Sequence, residues 1–399
     1  MSVQVVRLGD WCSQDRKSVR PGEESDLRYI GLETVESNTG RLLDGALSKT
    51  PEEPQANSFS FGPEHVLYGK LRPYLNKVAL PDFRGKCSTE LVPLRSADGL
   101  NRRYLAYFLR SPRTVERISE RTAGARMPRA DMDFVLGLQM PLPAMAEQQR
   151  IVDLLSRAEG IVRLRRQAQQ RAAELIPAIF VDMFGDPATN PKCLPVVTLD
   201  DVLASADYGS SSKASDAEAG LPMIRMGNVD YRGNVDLSNL KYVDLAPHEV
   251  ARFGLKDGDI LFNRTNSKEL VGKTGLWIGD RVAILASYFI RLRVSEQRAR
   301  PFFVWAFMNS RHMKRVLFET ARGAIGQANI NSRELRAFRI PLPGLDEQAR
   351  FESRCRDVLA LRSLQRHAIV KAEAAFQALL ARAFAASSQA ALEPQEATT

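Results

Sequence analysis

The sequence predicts an α+β fold of two tandem repeats, each a strand-rich globular domain followed by a long helix, with the two helices pairing as a coiled coil. Three observations predict it: a motif written twice, matches on either side of it that keep their order, and a change of texture after each copy. "PLPAMAEQQR" at 141–150 returns as "PLPGLDEQAR" at 341–350, so that Pro141, Leu142, Pro143, Glu147, Gln148 and Arg150 recur as Pro341, Leu342, Pro343, Glu347, Gln348 and Arg350. Upstream, "YLAYFLRS" (104–111) matches "FVWAFMNS" (303–310), and "CSTELVPLR" (87–95) matches "ASYFIRLRV" (286–294). "VLYGKLRP" (66–73) matches "ILFNRTNS" (260–267), and "VVRLGDW" (5–11) matches "VVTLDDV" (196–202). The order never breaks, so each repeat is one unit of about 190–200 residues.

The elements follow in order. Residues 1–140 and 188–340 carry short β-rich runs separated by Gly, Pro, Asn and Asp, the pattern of strand-dominated domains. After each Pro-Leu-Pro, Gly and Pro nearly vanish, and helices are expected through 141–187 and 341–386. Pro143 and Pro343 suit a helix start, where the first amides lack partners anyway. Glu147 and Glu347 fall in the first turn, where negative charge suits the helix dipole. The first helix is expected to break near Pro177, restart, and stop at Gly185 with Pro187 beyond. Residues 387–399 read as a disordered tail.

One apolar stripe is expected along Ile151, Leu154, Ala158, Ile161, Leu164, Ala168, Ala172 and Leu175. Its counterpart is Phe351, Cys355, Val358, Leu361, Leu364, Ala368, Ala372 and Ala375. Narrow stripes on charged helices suit helix–helix pairing; the alternative is a helix packed on its own domain. About 30 helical residues make a rod of roughly 45 Å, near the ~34 Å turn of B-DNA that dimeric readers use between half-sites.

With 44% hydrophobic and 26% charged residues among 399, the chain can bury real cores, and its length suits two or three domains. A net charge of +9 and a pI near 9.5 favour an anionic partner such as nucleic acid. Cys12, Cys87, Cys193 and Cys355 are far apart, which argues against a disulfide framework or a zinc site and suits a reducing cytosol. The start has no basic-then-apolar signal and no apolar run approaches a membrane span, so a cytoplasmic protein without membrane contact is expected.

Catalytic motifs are missing. "VGKTG" (271–275) imitates a phosphate loop, but Ser267 stands where that loop needs glycine. There is no dinucleotide fingerprint, no methyltransferase signature, no nucleophile elbow and no nuclease carboxylate cluster. No catalytic, cofactor or metal residue is expected. The chemistry-bearing stretch is instead "LFNRTNSKELVGK" (261–273), with Asn263, Arg264, Asn266, Lys268 and Lys273 after an apolar strand. Arginine forks onto guanine and asparagine onto adenine, while lysine serves phosphates. The counterpart, "LYGKLRPYLNK" (67–77), offers Lys70, Arg72, Tyr74, Asn76 and Lys77. A second candidate surface holds Arg126 in "RTAGARMPR" (121–129) and Arg322 and Gln327 in "ARGAIGQANI" (321–330). Solvated polar loops are the alternative reading of each stretch.

Leu-Phe-Asn-Arg-Thr-Asn-Ser, Glu-Leu-Val-Gly-Lys, and Pro-Leu-Pro with Glu-Gln opening a long helix, in tandem, resemble the specificity subunit of type I restriction-modification systems over about residues 5–385. The resemblance implies target-recognition domains at 1–140 and 188–340, each reading half of a bipartite double-stranded DNA site. It implies helices at 141–187 and 341–386 that pair antiparallel, set the spacer and dock two methyltransferase subunits. It also implies that S-adenosylmethionine, ATP and magnesium belong to the methyltransferase and motor-nuclease partners. The first domain departs from the pattern, with "LYGKLRP" where the second has "LFNRTNS", so the half-sites should differ. The competing readings are a coiled-coil adaptor without DNA specificity and a fused DNA methyltransferase or nuclease.

Overall fold

The computed structural model describes residues 3–24, 26–43, 56–124, 126–324 and 327–385, with backbone alone at 123, 322–324 and 327. The expected tail at 387–399 lies outside the described residues. The chain forms two compact units. One joins the first 166 residues to those from His367 onward, and the other is Gln167–Arg366. Each unit thus takes helical residues from both of the long helices.

In the first unit a four-stranded antiparallel sheet runs in the order Cys12–Gln14, Leu91–Ser96, His65–Gly69, Val78–Ala79. A second sheet orders Ser18–Val19, Ser58–Phe61, Gly85–Ser88 and Arg28–Ile30, its last pair parallel. The second unit repeats the first sheet as Leu203–Tyr208, Phe289–Val294, Ile260–Asn263, Thr274–Leu276. Helices Arg102–Arg110 and Pro112–Glu120 cover the sheet in one unit, and Pro301–Met308 and Arg311–Thr320 in the other. Asn101 caps the first of these by accepting from the Arg103 and Tyr104 amides, and prolines open two others, as helix starts favour.

A two-stranded clasp closes each domain. Gln4–Arg7 pairs antiparallel with Gln139–Leu142, and Val196–Thr198 pairs antiparallel with Arg339–Pro341. Each clasp delivers the chain through Pro-Leu-Pro into a long helix, Met145–Ala173 or Leu345–Ala383. Behind it sits a glutamine with no exposed surface. The Gln148 amide nitrogen donates to the Gly99 and Pro143 carbonyls (2.8 and 2.9 Å), and its oxygen accepts from the Asn101 amide (2.8 Å). Gln348 donates to the Pro343 carbonyl (2.8 Å) and accepts from the Arg300 amide (2.8 Å). The helix start is therefore bonded to the N-terminus of a domain helix in both units. Glu147, expected in the first turn, is paired with Arg150 at 2.7 Å on the surface.

The first helix breaks at Glu174, upstream of the expected Pro177, and resumes as Leu175–Phe184. Proline has no N–H to give the carbonyl four residues back, and its ring crowds that carbonyl, which here belongs to Ala173. The helix ends as expected at Gly185, whose φ of 81° suits glycine.

The buried faces match the expected stripes only in part: Ile151, Ala158 and Ala372 pack against the first core and Ala172 is buried. In the first unit Val152, Leu155 and Val162 are buried with Tyr104, Phe376, Leu380 and Phe384, whereas Leu154, Ile161 and Leu164 are exposed. The Tyr104 and Phe384 rings lie 5.1 Å apart, and Arg166 meets Glu373 at 2.6 Å. In the second unit Phe351, Cys355 and Val358 are buried as expected, but Leu361 and Leu364 are exposed. Phe180 and Phe184 pack there against Phe303 and Phe351 at 5.1–5.7 Å, Phe180 stacked on Phe303 and the other pairs edge-to-face. Within each unit, then, the helices seat on their own domain as well as on one another. The helix carries apolar residues on two faces, and the domain surface selects the face with the aromatic partners.

Because Phe351 is packed on all sides and Leu164 is 61% solvent-exposed, the same truncation has opposite consequences. Phe351→Ala should cost about 3–5 kcal/mol in denaturant unfolding, and Leu164→Ala less than about 0.5 kcal/mol. Equal losses would return Leu164 to the core.

Candidate nucleic-acid interface

The second-unit stretch begins where the Ile260–Asn263 strand ends. Arg264 is fixed there by its own backbone: its N–H donates to the Tyr288 carbonyl (2.9 Å) and its carbonyl accepts from the Ile330 amide (3.0 Å). Lys70 holds the same place in the first unit, with its N–H on the Glu90 carbonyl (2.9 Å) and its carbonyl accepting from Ala130 (2.8 Å). Thr265–Asn266 then pairs with Gln327–Asn329, as Leu71 bridges to Arg129. Duplication has thus put one cationic residue at one rigid point in both domains.

The side chains there are treated differently. Lys70 is drawn to Glu90, with Nζ 4.0 Å from the carboxylate, and Arg129 forks onto the same Glu90 at 2.8–3.2 Å. In the second unit Tyr288 stands where Glu90 stands in the first, and the Arg264 guanidinium lies over the Tyr208 ring, 4.8 Å from its centroid. The Arg264 Nε is buried and has no hydrogen-bond partner among the described residues. Leaving such a donor unmade costs about 1–3 kcal/mol. Lys268 is exposed and sits 4.6 Å over the Phe318 ring.

Other candidates are not on the surface. Asn263 is fully buried; its amide donates to the Tyr288 and Thr265 carbonyls (3.2 and 3.3 Å), and its oxygen accepts from Asn266 at 2.8 Å. Lys273 is buried as well, and its ammonium donates to the Met226 carbonyl at 2.7 Å. Both assignments are corrected: these side chains build the loop and face inward, because the chain after Asn266 turns back to form the Thr274–Leu276 strand. Asn266 is half-buried and holds the Asn263 side chain and the Ser267 amide.

In the first unit Asn76 donates to the Arg110 carbonyl (3.2 Å) and Lys77 to the Leu32 carbonyl (2.8 Å), so both brace the domain. Arg72, Tyr74 and Arg126 are exposed. Arg72 and Asn76 flank the Pro73–Leu75 turn in left-handed conformations (φ 51° and 50°), uncommon for residues other than glycine and often kept at functional sites. The side chains of Arg322 and Gln327 lie outside the described residues.

The same strand position just before these stretches carries an ion network in both units. His65 accepts the Gly62 amide on Nδ1 (2.9 Å), which leaves Nε2–H to donate to Asp15 (3.1 Å). That bond holds the Asp15 carboxyl below its ordinary range. Asp259 takes the place of His65 and binds Arg293 at 2.9 Å.

A second lysine backs the Lys273 loop. Lys314 donates to the Gly272 carbonyl (2.9 Å) and lies 4.6 Å over the Tyr231 ring. Burial pushes its ammonium down to about 7, with Asp230 opposing and Lys273 reinforcing the shift. The folded protein then holds Lys314 neutral where the unfolded chain, with a value near 10.5, holds it charged. Stability should rise as pH climbs from about 7 toward 10.5 and be lost as pH falls through 7. Lys314→Met should flatten that rise in melting temperature between pH 6 and 10. An unchanged slope would place the ammonium in water.

The fold and site define a tandem-domain protein, one scaffold in two copies, each presenting cations at a fixed strand end. Among the described residues no group of His, Cys, Asp and Glu could hold a metal ion, and no helix is long and apolar enough to cross a membrane. The family model for the type I restriction modification DNA specificity domain matches residues 35–173 and again 192–357, and the chain belongs to this family. The specificity subunit of the type I restriction enzyme EcoKI from Escherichia coli strain K12 is 24% identical over 303 residues, 70% of this chain and 64% of that protein. The specificity subunit of the putative type I restriction enzyme MjaX from Methanocaldococcus jannaschii is 29% identical over 160 residues, 40% of this chain and 37% of that one. The matches therefore span less than two thirds of either relative. Two solved chains share the fold. One comes from a type I R-M system whose complex assembly and conformational transition were analysed (TM-score 0.59, 21% identity, 96% of this chain and 97% of that one). The other is the S subunit of the type I restriction-modification system of M. genitalium (TM-score 0.53, 12% identity, 96% of each chain).

Proposed function

We propose that this chain is the DNA sequence-specificity subunit of a type I restriction-modification complex, each domain reading one half of a bipartite duplex site. The observation that carries the reading is the equivalence of Lys70 and Arg264. Two copies of one scaffold hold a cation by the same pair of backbone hydrogen bonds, and then give it different surroundings. Rigid placement at a strand end suits base readout, where a bidentate arginine contact is worth about 1–3 kcal/mol of discrimination. Exposed Arg72, Tyr74, Arg126 and Lys268 supply further backbone and base contacts, and the net charge of +9 suits duplex DNA.

The long helices act as ruler and dock. Segments of both are packed together within each unit, which supports an antiparallel coiled coil between the domains' helices. The exposed Leu154, Ile161 and Leu164 offer apolar surface for the two methyltransferase subunits. The chain itself is the non-catalytic member. S-adenosylmethionine, ATP and magnesium act on the methyltransferase and motor-nuclease partners, in the cytoplasm.

Mapping N6-methyladenine in the host genome with and without this chain tests the reading. A two-part motif with an unspecified spacer should be methylated only when the chain is present. An unchanged map, or a motif lost only when a point substitution in this chain abolishes methyl transfer by the isolated protein, would overturn it.

A further inference from the structure

We infer that Tyr208 is the positioning residue of the second domain's recognition surface, holding the Arg264 guanidinium so that its N–H edge is presented to a base. The inference rests on the DNA-recognition reading above and names what gives the second domain its own specificity. Arg264 and Tyr208 flank the Phe289–Val294 strand from opposite sides. Tyr208 is paired with Ile290, and Arg264 directly follows Asn263, which is paired with Phe289. Their side chains meet above that strand, with the guanidinium carbon 4.8 Å from the ring centroid. The tyrosine is held at its far end too, its hydroxyl accepting the Ser332 amide at 3.3 Å. It is nevertheless 45% solvent-exposed, so the pair lies at the surface and not in the core.

A guanidinium stacked on an aromatic ring spends its flat face and keeps its hydrogen-bonding edge, which is the edge that forks onto a base. A carboxylate would consume that edge. The first domain does the latter: Glu90 takes Arg129 and draws Lys70. Among its described residues none takes Tyr208's role, since its edge strand ends at Gln14 opposite Leu94, short of the place that Tyr208 occupies opposite Ile290. The unpartnered Nε of Arg264 fits the same account, because the stack, not a hydrogen bond to that atom, sets the orientation.

The test uses the full chain and a duplex selected by it from a randomised pool, together with all single-base variants of that duplex. Tyr208→Leu should weaken binding to the selected duplex about tenfold and flatten discrimination at one base pair of one half-site. Tyr208→Phe, which keeps the ring, should bind within about twofold of the parent. Arg264→Lys keeps the charge but cannot spread over the ring, so it should lose discrimination at the same base pair even if Tyr208→Leu fails to fold. The double variant Tyr208→Leu with Arg264→Ala should bind no worse than Arg264→Ala alone. The clamp is overturned if Tyr208→Phe is as poor as Tyr208→Leu, if the loss is equal across all base variants, or if Arg264→Lys discriminates like the parent. A parent chain that enriches no sequence at all overturns instead the recognition reading on which the clamp rests.

Discussion

The structure depends on a buried glutamine. Gln148 and Gln348 each lie behind the strand clasp that closes a domain, and each bonds the start of a long helix to the first turn of a domain helix. A side-chain amide with no access to water must satisfy both its ends locally, so its partners are fixed as strictly as a backbone ladder fixes its own. Pro143 and Pro343 contribute from the other side, giving the carbonyls that the glutamines hold. The exit angle of each helix from its domain is thereby set by hydrogen bonds, and the apolar contacts of Leu155 or Phe351 follow from it. Under the proposed ruler role such a joint matters, since a loose helix start would blur any spacing.

On the sheet the two domains share, side chains are exchanged at points the backbone pairing does not constrain. Val66 and Ile260 pair identically with Leu94 and Leu292, but the residue before each is His65 in one and Asp259 in the other. Lys70 and Arg264 share backbone bonds, but the residue facing them changes from Glu90 to Tyr288. One turn is kept as well: Gly40 and Gly233 both have positive φ, and a Cβ on either would strike the Val78 or Thr274 carbonyl. Keeping the sheet pairing while exchanging the groups upon it lets one scaffold present two chemically different surfaces, as the proposed function requires.

Much of this was legible in the sequence because punctuation is local. Proline and glycine mark the clasp, the helix start and the Gly185 stop through their own backbone, and the repeated Glu-Gln marks the first turn of each long helix. The face of the helix was not legible. Leu154, Ile161 and Leu164 and the neighbouring Val152, Leu155 and Val162 make two apolar stripes of similar strength, and partners distant in sequence, Tyr104 of the domain and Phe376 and Phe384 near the chain's end, cover the second. The site was half legible for the same reason. Residue type marked "NRTNSKELVGK" as a polar segment, but whether Lys273 points out or in depends on the chain reversing to pair with Ile260–Asn263. Tyr208 gave no signal at all. Its importance comes from lying across a strand from Arg264, a neighbour supplied by sheet order.

The most direct test of the buried joint compares two identical substitutions one residue apart. Gln148 is buried with three hydrogen bonds to the backbone, whereas Gln149 is exposed and bonds only the side chains of Asp153 and Asn101. In denaturant unfolding of the full chain, Gln148→Met should cost about 2–4 kcal/mol, because it leaves the Asn101 amide and the Gly99 and Pro143 carbonyls without the partner that joins them, and Gln149→Met should cost less than about 1 kcal/mol. Equal, small losses at both positions would show that the helix is held by apolar packing alone and would contradict the joint.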